Sequence, residues 1–208
     1  MKRPAFYFDA DACSGCKTCQ IACKDKNDLP LDLVWRRVYE VTGGDWIRQG
    51  NAWKNTVYAY NVSLACNHCE KPVCMEACPT KAIFKRDDGI VLIDELKCMG
   101  CRYCEWVCPY GAPQFNYETG LMSKCNLCFD YVGEGKNPSC VDSCPMRAMD
   151  FGECDELVKK YGDNGDIYPL PNRHHTEPSF LVNPHRNTKA VKLEKPELAN
   201  LEEVRFER

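Results

Sequence analysis

The sequence predicts an α+β chain assembled from two small, internally repeated units, with a short antiparallel β insertion and an extended C-terminal tail. Three observations predict it: the grouping of the cysteines, a repeat in the residues around them, and a change of texture near residue 155. Sixteen of the seventeen cysteines form four groups of four, and Cys154 is left over. The groups are Cys13, Cys16, Cys19 and Cys23; Cys66, Cys69, Cys74 and Cys78; Cys98, Cys101, Cys104 and Cys108; and Cys125, Cys128, Cys140 and Cys144. The first and third read C-x2-C-x2-C-x3-C, while the second opens its middle gap to four residues and the fourth to eleven. Proline follows Cys78, Cys108 and Cys144, whereas Lys24 follows Cys23.

This spacing suits cubane iron-sulfur clusters. A short loop with two residues between thiolates lays three sulfurs on three irons of one cube, and the fourth cysteine, carried off on the next turn, ligates the other cluster of a two-cluster unit. The rivals are disulfides and zinc. A disulfide scaffold belongs to small secreted chains, and the start MKRPAFYFDADAC has no apolar signal region, so none is expected. Zinc knuckles use paired C-x2-C, which Cys66 with Cys69 or Cys125 with Cys128 would satisfy alone, but two C-x2-C-x2-C-x3-C runs in one chain point to iron and sulfide.

The repeat orders the elements. FDADACSGCKTC around the first group matches IDELKCMGCRYC around the third, and CNHC at 66 to 69 matches CNLC at 125 to 128. After the prolines come CPTKAIF, CPYGAPQF and CPMRAMDF, each placing a small alanine where backbone must pass close to a cube. Residues 1–30 thus carry the first half-unit. Residues 31–64 alternate through Trp35, Arg37, Tyr39 and Val41 and again through TVYAYNVSL, with Gly43-Gly44 as the expected turn of a β insertion. Between Cys78 and Cys98, Arg86 to Gly89 is a turn signal and GIVLID an apolar β run, the way one half of a bacterial-type ferredoxin leads into the next.

The second and third groups therefore form an inner two-cluster unit, 65–119, and the first and fourth an outer one from 1–30 and 120–154. The exchange rule yields four [4Fe-4S] ligand sets. These are Cys13, Cys16, Cys19 with Cys144; Cys125, Cys128, Cys140 with Cys23; Cys66, Cys69, Cys74 with Cys108; and Cys98, Cys101, Cys104 with Cys78. From residue 155 a helix of one or two turns at DELVKKYG leads into a polar tail (155–208 in all) punctuated by proline, which cannot make a core of its own and is expected to be either disordered or, in a subunit, laid over a partner's surface.

Composition bounds the function. The hydrophobic content of 44% includes the cysteines, so the clusters are expected to serve as core and their binding to drive folding. No run approaches the apolar length of a membrane span, and a net charge of -3 with mixed signs supplies no basic stripe for nucleic acid. There is no G-x-S-x-G, no P-loop and no dinucleotide fingerprint, and no catalytic residue is assigned. His68 reads as a loop residue or a donor to sulfur, and His174, His175 and His185 as surface. Lys17, Lys24, Lys81, Arg102, Lys124 and Arg147 stand beside cluster loops and either raise cluster potentials or simply face solvent. Tyr103, Trp106 and Tyr110 are expected to exclude water from a cluster, and Cys154 to be a buried free thiol.

Through CSGCKTCQIACKD, WRRVYEVTGGDW, LACNHCEKPVCMEACPTKAIFKRDDGIV, CMGCRYCEWVCPYGAPQFN and CVDSCPMRAMDFG, the protein resembles the four-cluster ferredoxin subunits of membrane-bound molybdopterin oxidoreductases of the dimethyl sulfoxide reductase type. The resemblance covers roughly residues 5 to 160 and is loose beyond about 170. It implies a non-catalytic electron-transfer subunit of anaerobic respiration, partnered by a molybdopterin catalytic subunit and an integral membrane anchor that oxidises quinol. It further implies a place at the cytoplasmic membrane, on the outer face if the protein is exported together with a catalytic partner, or on the cytoplasmic face. Cys101, at a position that is tryptophan in related nitrate reductase subunits, implies a fourth cubane rather than a three-iron cluster. The partner's substrate and the direction of electron flow are not written in the sequence. The alternatives are a subunit of another molybdenum or tungsten oxidoreductase, a freestanding cytoplasmic polyferredoxin, and a zinc-based interaction module.

Overall fold

A computed structural model describes residues 3–188 and 196–204. Strand β1 (Pro4–Asp9) is apolar on both faces because both are covered. Phe6 and Phe8 enter the main core, while Ala5 and Tyr7 face a helix, α6 (Cys154–Tyr161), together with Leu157 and Leu181. Its neighbours in the sheet are β10 (Met149–Glu153), antiparallel with Phe6 opposite Phe151, and β11 (Phe180–Asn183), parallel with Phe6 opposite Phe180.

The β insertion is a long antiparallel arm. Strands β2 (Arg37–Gly43) and β5 (Tyr58–Leu64) pair from Arg37 opposite Leu64 to Gly43 opposite Tyr58; the alternate side chains Tyr39, Val41, Tyr60, Val62 and Leu64 of one face join the main core, as does Val38 from the other. The arm continues as β3 (Trp46–Gln49) and β4 (Ala52–Asn55). Gly43-Gly44 is therefore not the turn the sequence suggests. Gly44 sits at φ +83 in the waist of the arm, where a Cβ would come 2.2 Å from the Thr56 carbonyl oxygen, and the chain reverses at Gly50, φ +62. A glycine pair signals left-handed backbone, which a waist requires as much as a hairpin loop does.

Short helices and hairpins fill the rest. Helix α1 (Thr18–Lys26) packs on α5 (Ser139–Asp142), and α2 (Val73–Glu76) packs on α3 (Tyr103–Val107). Hairpins β6 (Ile83–Lys85) with β7 (Val91–Ile93), and β8 (Gln114–Asn116) with β9 (Leu121–Ser123), flank the third cysteine group, and α4 (Phe129–Gly133) follows Cys128. Strand β1 before the first group pairs with β10 after the fourth, as β7 before the third pairs with β6 after the second.

The tail departs from expectation. Its described residues lie on this chain, not away from it: Phe180, Leu181 and Val182 are buried in the β1 sheet, β12 (Glu197–Leu198) adds an edge to β2, and Val204, at the end of α7 (Leu201–Val204), is buried. Short apolar runs too small for a core suffice to complete one that exists, by covering open sheet edges. The expectation for residues 189–195 and 205–208 lies outside the described residues. With the tail and the insertion contributing, the apolar core is larger than composition suggests, and Cys19, Cys140 and Cys144 join it alongside Phe6, Val38 and Tyr60.

Candidate iron-sulfur centres

The local backbone of the cysteine loops repeats. Gly15 and Gly100, the third residues of the C-x2-C in groups one and three, have φ +71 and +69, and Lys17 and Arg102, just after those motifs, have φ 60 and 65 as the residues preceding α1 and α3. In CNHC and CNLC, His68 and Leu127 take the matching positive φ of 41 and 64. In the three proline echoes Lys81, Gly111 and Arg147 are left-handed, each N–H returning to the carbonyl of Cys78, Cys108 or Cys144 at 3.0 to 3.2 Å. That turn aims the next amide inward: Ala82 N–H donates to Cys78 Sγ at 3.3 Å and Ala112 N–H to Cys108 Sγ at 3.4 Å. Ala82, Ala112 and Ala148 are buried, which explains the small residue at that place.

These loops bring thiols from distant groups together. One cavity is lined by Cys13, Cys16, Cys19 and Cys144, with Phe8, Val38 and Met149 as apolar wall. Another is lined by Cys66, Cys69, Cys74 and Cys108, with Tyr110, Lys124 and Thr176. Cys23 lies within electrostatic range of Cys140, Cys128 and Cys125, and Cys125 and Cys128 within range of Cys140. Cys104 is near Cys101 and Cys98, and Cys78 packs in the same apolar cluster as Cys98 and Cys104.

The donors fit a polynuclear iron-sulfur group. Burial pushes the Cys13 thiol up to about 11 and those of Cys23, Cys69, Cys74 and Cys104 up to about 12, so each favours the protonated form unless a bound cation takes up the thiolate charge. At Cys78 burial acts in the same sense, but it is outweighed by N–H groups of Ile83 and Ala82 and the Thr80 hydroxyl, which hold that thiol below its usual value. Further N–H to sulfur bonds come from Met122 to Cys98 at 3.5 Å and Leu127 to Cys125 at 3.4 Å. Four thiols around one apolar-walled cavity suit a cubane, each sulfur meeting one iron.

The charged neighbours divide between the two readings the sequence leaves open. Lys17 pairs with Glu203, Lys24 holds the carbonyls of Pro30 and Leu33, Arg102 pairs with Glu105 at 2.7 Å, Lys81 is exposed, and the exposed Arg147 donates to the Asp142 carbonyl at 3.3 Å. Lys124 is buried, bonded to the carbonyls of Val91 and Cys125, and its charge acts on Cys74. Two buried cations were not anticipated. Arg36 sits among the thiols of Cys140, Cys19, Cys125 and Cys23, and Arg37 donates to the carbonyls of Tyr110 and Gly111 beside Cys108. Strand alternation marks the face of such residues but not what occupies it.

His68 is 1% exposed; its Nδ1 accepts from Val91 N–H at 3.1 Å, its Nε2 has no partner, and burial with the Lys124 charge holds it well below the usual histidine range. His185, expected at the surface, is buried against Tyr60, whereas His174 and His175 lie in a single 3-10 turn. Tyr110 is buried with its hydroxyl 2.9 Å from Thr176 Oγ1. Tyr103 and Trp106, expected to exclude water, are 49% and 72% exposed and pack on each other with ring centroids 5.6 Å apart. Cys154 is buried, as expected, and accepts from Arg3.

A family model described as a 4Fe-4S dicluster domain matches residues 57–154. The B subunit of the anaerobic dimethyl sulfoxide reductase of Escherichia coli strain K12 is 50% identical over 199 residues, covering 96% of this chain and 97% of that protein. Its counterpart of the same name from Haemophilus influenzae is 47% identical over 187 residues, 89% and 91% of the two proteins. A thiosulfate reductase electron transfer subunit of Salmonella typhi is 37% identical over 163 residues, 77% and 81% of the two.

Proposed function

Because the protein belongs to the iron-sulfur electron-transfer subunits of the dimethyl sulfoxide reductase type, a non-catalytic family, we propose that it carries four [4Fe-4S] clusters and relays electrons through them between a quinol-oxidising membrane anchor and a molybdopterin catalytic subunit. The observation that carries this reading is the crosswise gathering of thiols, in which the last cysteine of one group meets the first three of another. Cys13, Cys16, Cys19 and Cys144 hold the first cluster; Cys125, Cys128, Cys140 and Cys23 the second; Cys66, Cys69, Cys74 and Cys108 the third; Cys98, Cys101, Cys104 and Cys78 the fourth.

The packing of α1 on α5 and α2 on α3 supports two units, an inner one at 65–119 and an outer one joining 1–30 to 120–154. Strand pairing supports the same division, since β10 pairs with β1 as β6 pairs with β7, so the outer unit is the inner one with its chain order exchanged. When bound, each cluster supplies a one-electron carrier. The protein's residues supply everything else: thiolates fix position, amides of Ala82, Ala112, Met122 and Leu127 disperse sulfur charge, and the walls Phe8, Val38 and Val91 keep water away.

Since the described tail packs on this chain, partners are supported instead by the relatives and by an apolar face. Leu96, Met99, Tyr103, Trp106 and Val107 are exposed together around the third cysteine group, the kind of face that a subunit covers. On this proposal the protein is a peripheral subunit beside that anchor, on the outer face of the cytoplasmic membrane by export with the catalytic partner or on its cytoplasmic face; no helix among the described residues is long and apolar enough to cross a membrane. Anaerobic capture of the tagged protein from gently solubilised membranes tests the proposal. Iron and labile sulfide at four cubanes per chain together with molybdenum or tungsten are expected; full iron without either metal points to a freestanding polyferredoxin instead.

A further inference from the structure

Arg36 lies just ahead of β2 and is only 2% exposed. Its Nη1 donates to Ser63 Oγ at 3.1 Å, its guanidinium stands 4.7 Å from the Phe6 ring centroid, and its Nε is buried without a partner. Among the described residues no carboxylate forms an ion pair with it; the groups acting on it most strongly are the thiols of Cys140, Cys19, Cys125 and Cys23. The positive charge acts back on Cys19, Cys23 and Cys125, and Ser63 Oγ, which accepts from Arg36, also lies 3.3 Å from Cys19 Sγ. Lys124 and Arg37, also buried near cluster loops, differ in that each is met by backbone carbonyls, those of Val91 and Cys125 for Lys124 and of Tyr110 and Gly111 for Arg37. A guanidinium out of water with no carboxylate among the described residues is costly, and the groups that act on it most strongly are sulfurs of two different proposed ligand sets, which carry negative charge once a cluster is bound.

We infer that Arg36 is the shared counter-cation of the two clusters of the outer unit and raises the reduction potentials of both. The inference rests on the ligand sets proposed above. An electron added to either cluster increases negative charge beside a fixed cation in a medium of low dielectric, so the reduced form gains more than the oxidised form. One residue thereby sets two neighbouring steps of the relay in the same direction and leaves the inner pair to Lys124 and Arg37.

The test is an EPR-monitored redox titration of the purified complex with the native chain, Arg36→Gln and Arg36→Lys, with iron content measured on each. Arg36→Gln is expected to keep its iron and to lower two of four midpoint potentials, each by at least tenfold in the reduction equilibrium, about 59 mV for a one-electron couple. Arg36→Lys is expected to restore most of that shift. Four unmoved midpoints at full iron, or four that fall equally, overturn the inference. If Arg36→Gln loses iron, Arg36→Lys decides: native iron and potentials support the charge role, whereas loss of iron or lowered midpoints in Arg36→Lys assigns the residue to packing and overturns it. Iron below four cubanes in the native chain would instead count against the ligand sets.

Discussion

Arg3 Nη2 donates to the sulfur of Cys154 at 3.1 Å, across 151 positions of sequence, and so ties the N-terminal strand to the first turn of α6. Cys154 is thereby a structural thiol among Ala5, Tyr7, Leu157 and Leu181. Cys154→Ala is expected to keep full iron and an unchanged EPR spectrum, with a stability loss of about 1 to 2 kcal/mol for a lost buried contact. A missing cluster would show that the seventeenth cysteine is a ligand.

Cys101 belongs to the loop closed by Gly100 and Arg102 and supplies one of four thiolates of the proposed fourth cluster. Cys101→Ser is expected to give a three-iron signal in the oxidised protein. An unchanged spectrum would reject the assignment.

The two loop glycines are not equally demanding. At Gly100 a Cβ would come 2.2 Å from the Gly120 carbonyl oxygen, whereas at Gly15 it would meet the side chain of Asn61 at 2.6 Å. Both residues have positive φ, but a side chain can turn away and a backbone cannot. Gly100→Ala is therefore expected to cost about 3 kcal/mol or more and Gly15→Ala about 1 kcal/mol, measured as loss of visible cluster absorbance in denaturant. The reverse ranking would contradict the backbone account.

His68 confers acid sensitivity. Its burial and the Lys124 charge keep it neutral when folded, whereas in the unfolded chain it takes up a proton near pH ~6.5. The unfolded state binds more protons, so stability is full above that pH and falls as pH drops below it. His68→Leu, imitating Leu127 in the matching loop, is expected to flatten this slope and to cost about 1 to 3 kcal/mol at pH ~8, because Val91 N–H loses its acceptor. Equal slopes in anaerobic thermal melts of the two proteins would show that another group carries the acid response.

Asn200 holds the tail to the insertion: its Nδ2 donates to the Val38 carbonyl and its Oδ1 accepts from Glu40 N–H, both at 2.8 Å. Asn200→Ala is expected to cost about 2 kcal/mol locally, speeding amide exchange at Thr42 and Leu198 without loss of iron. Unaltered exchange would mean that β12 and the buried Val204 hold the tail alone.

The number of thiols, their division into four groups, the repeat that relates them, the β6–β7 turn and the iron-sulfur chemistry are all readable from the amino-acid order. These are legible because ligand spacing and left-handed glycines are local demands, met within a few residues of where they are written. Other features depend on contacts between segments far apart in the chain. Arg36 reads in sequence as one alternating residue of a strand, and its burial among Cys19, Cys23, Cys125 and Cys140 depends on loops far along the chain. Phe180 to Val182 read as part of a polar tail, and became the third strand beside β1 because that strand had an open edge. Gly43-Gly44 announced left-handed backbone but not whether the chain would turn back there or pass through, since that depends on the strand paired opposite.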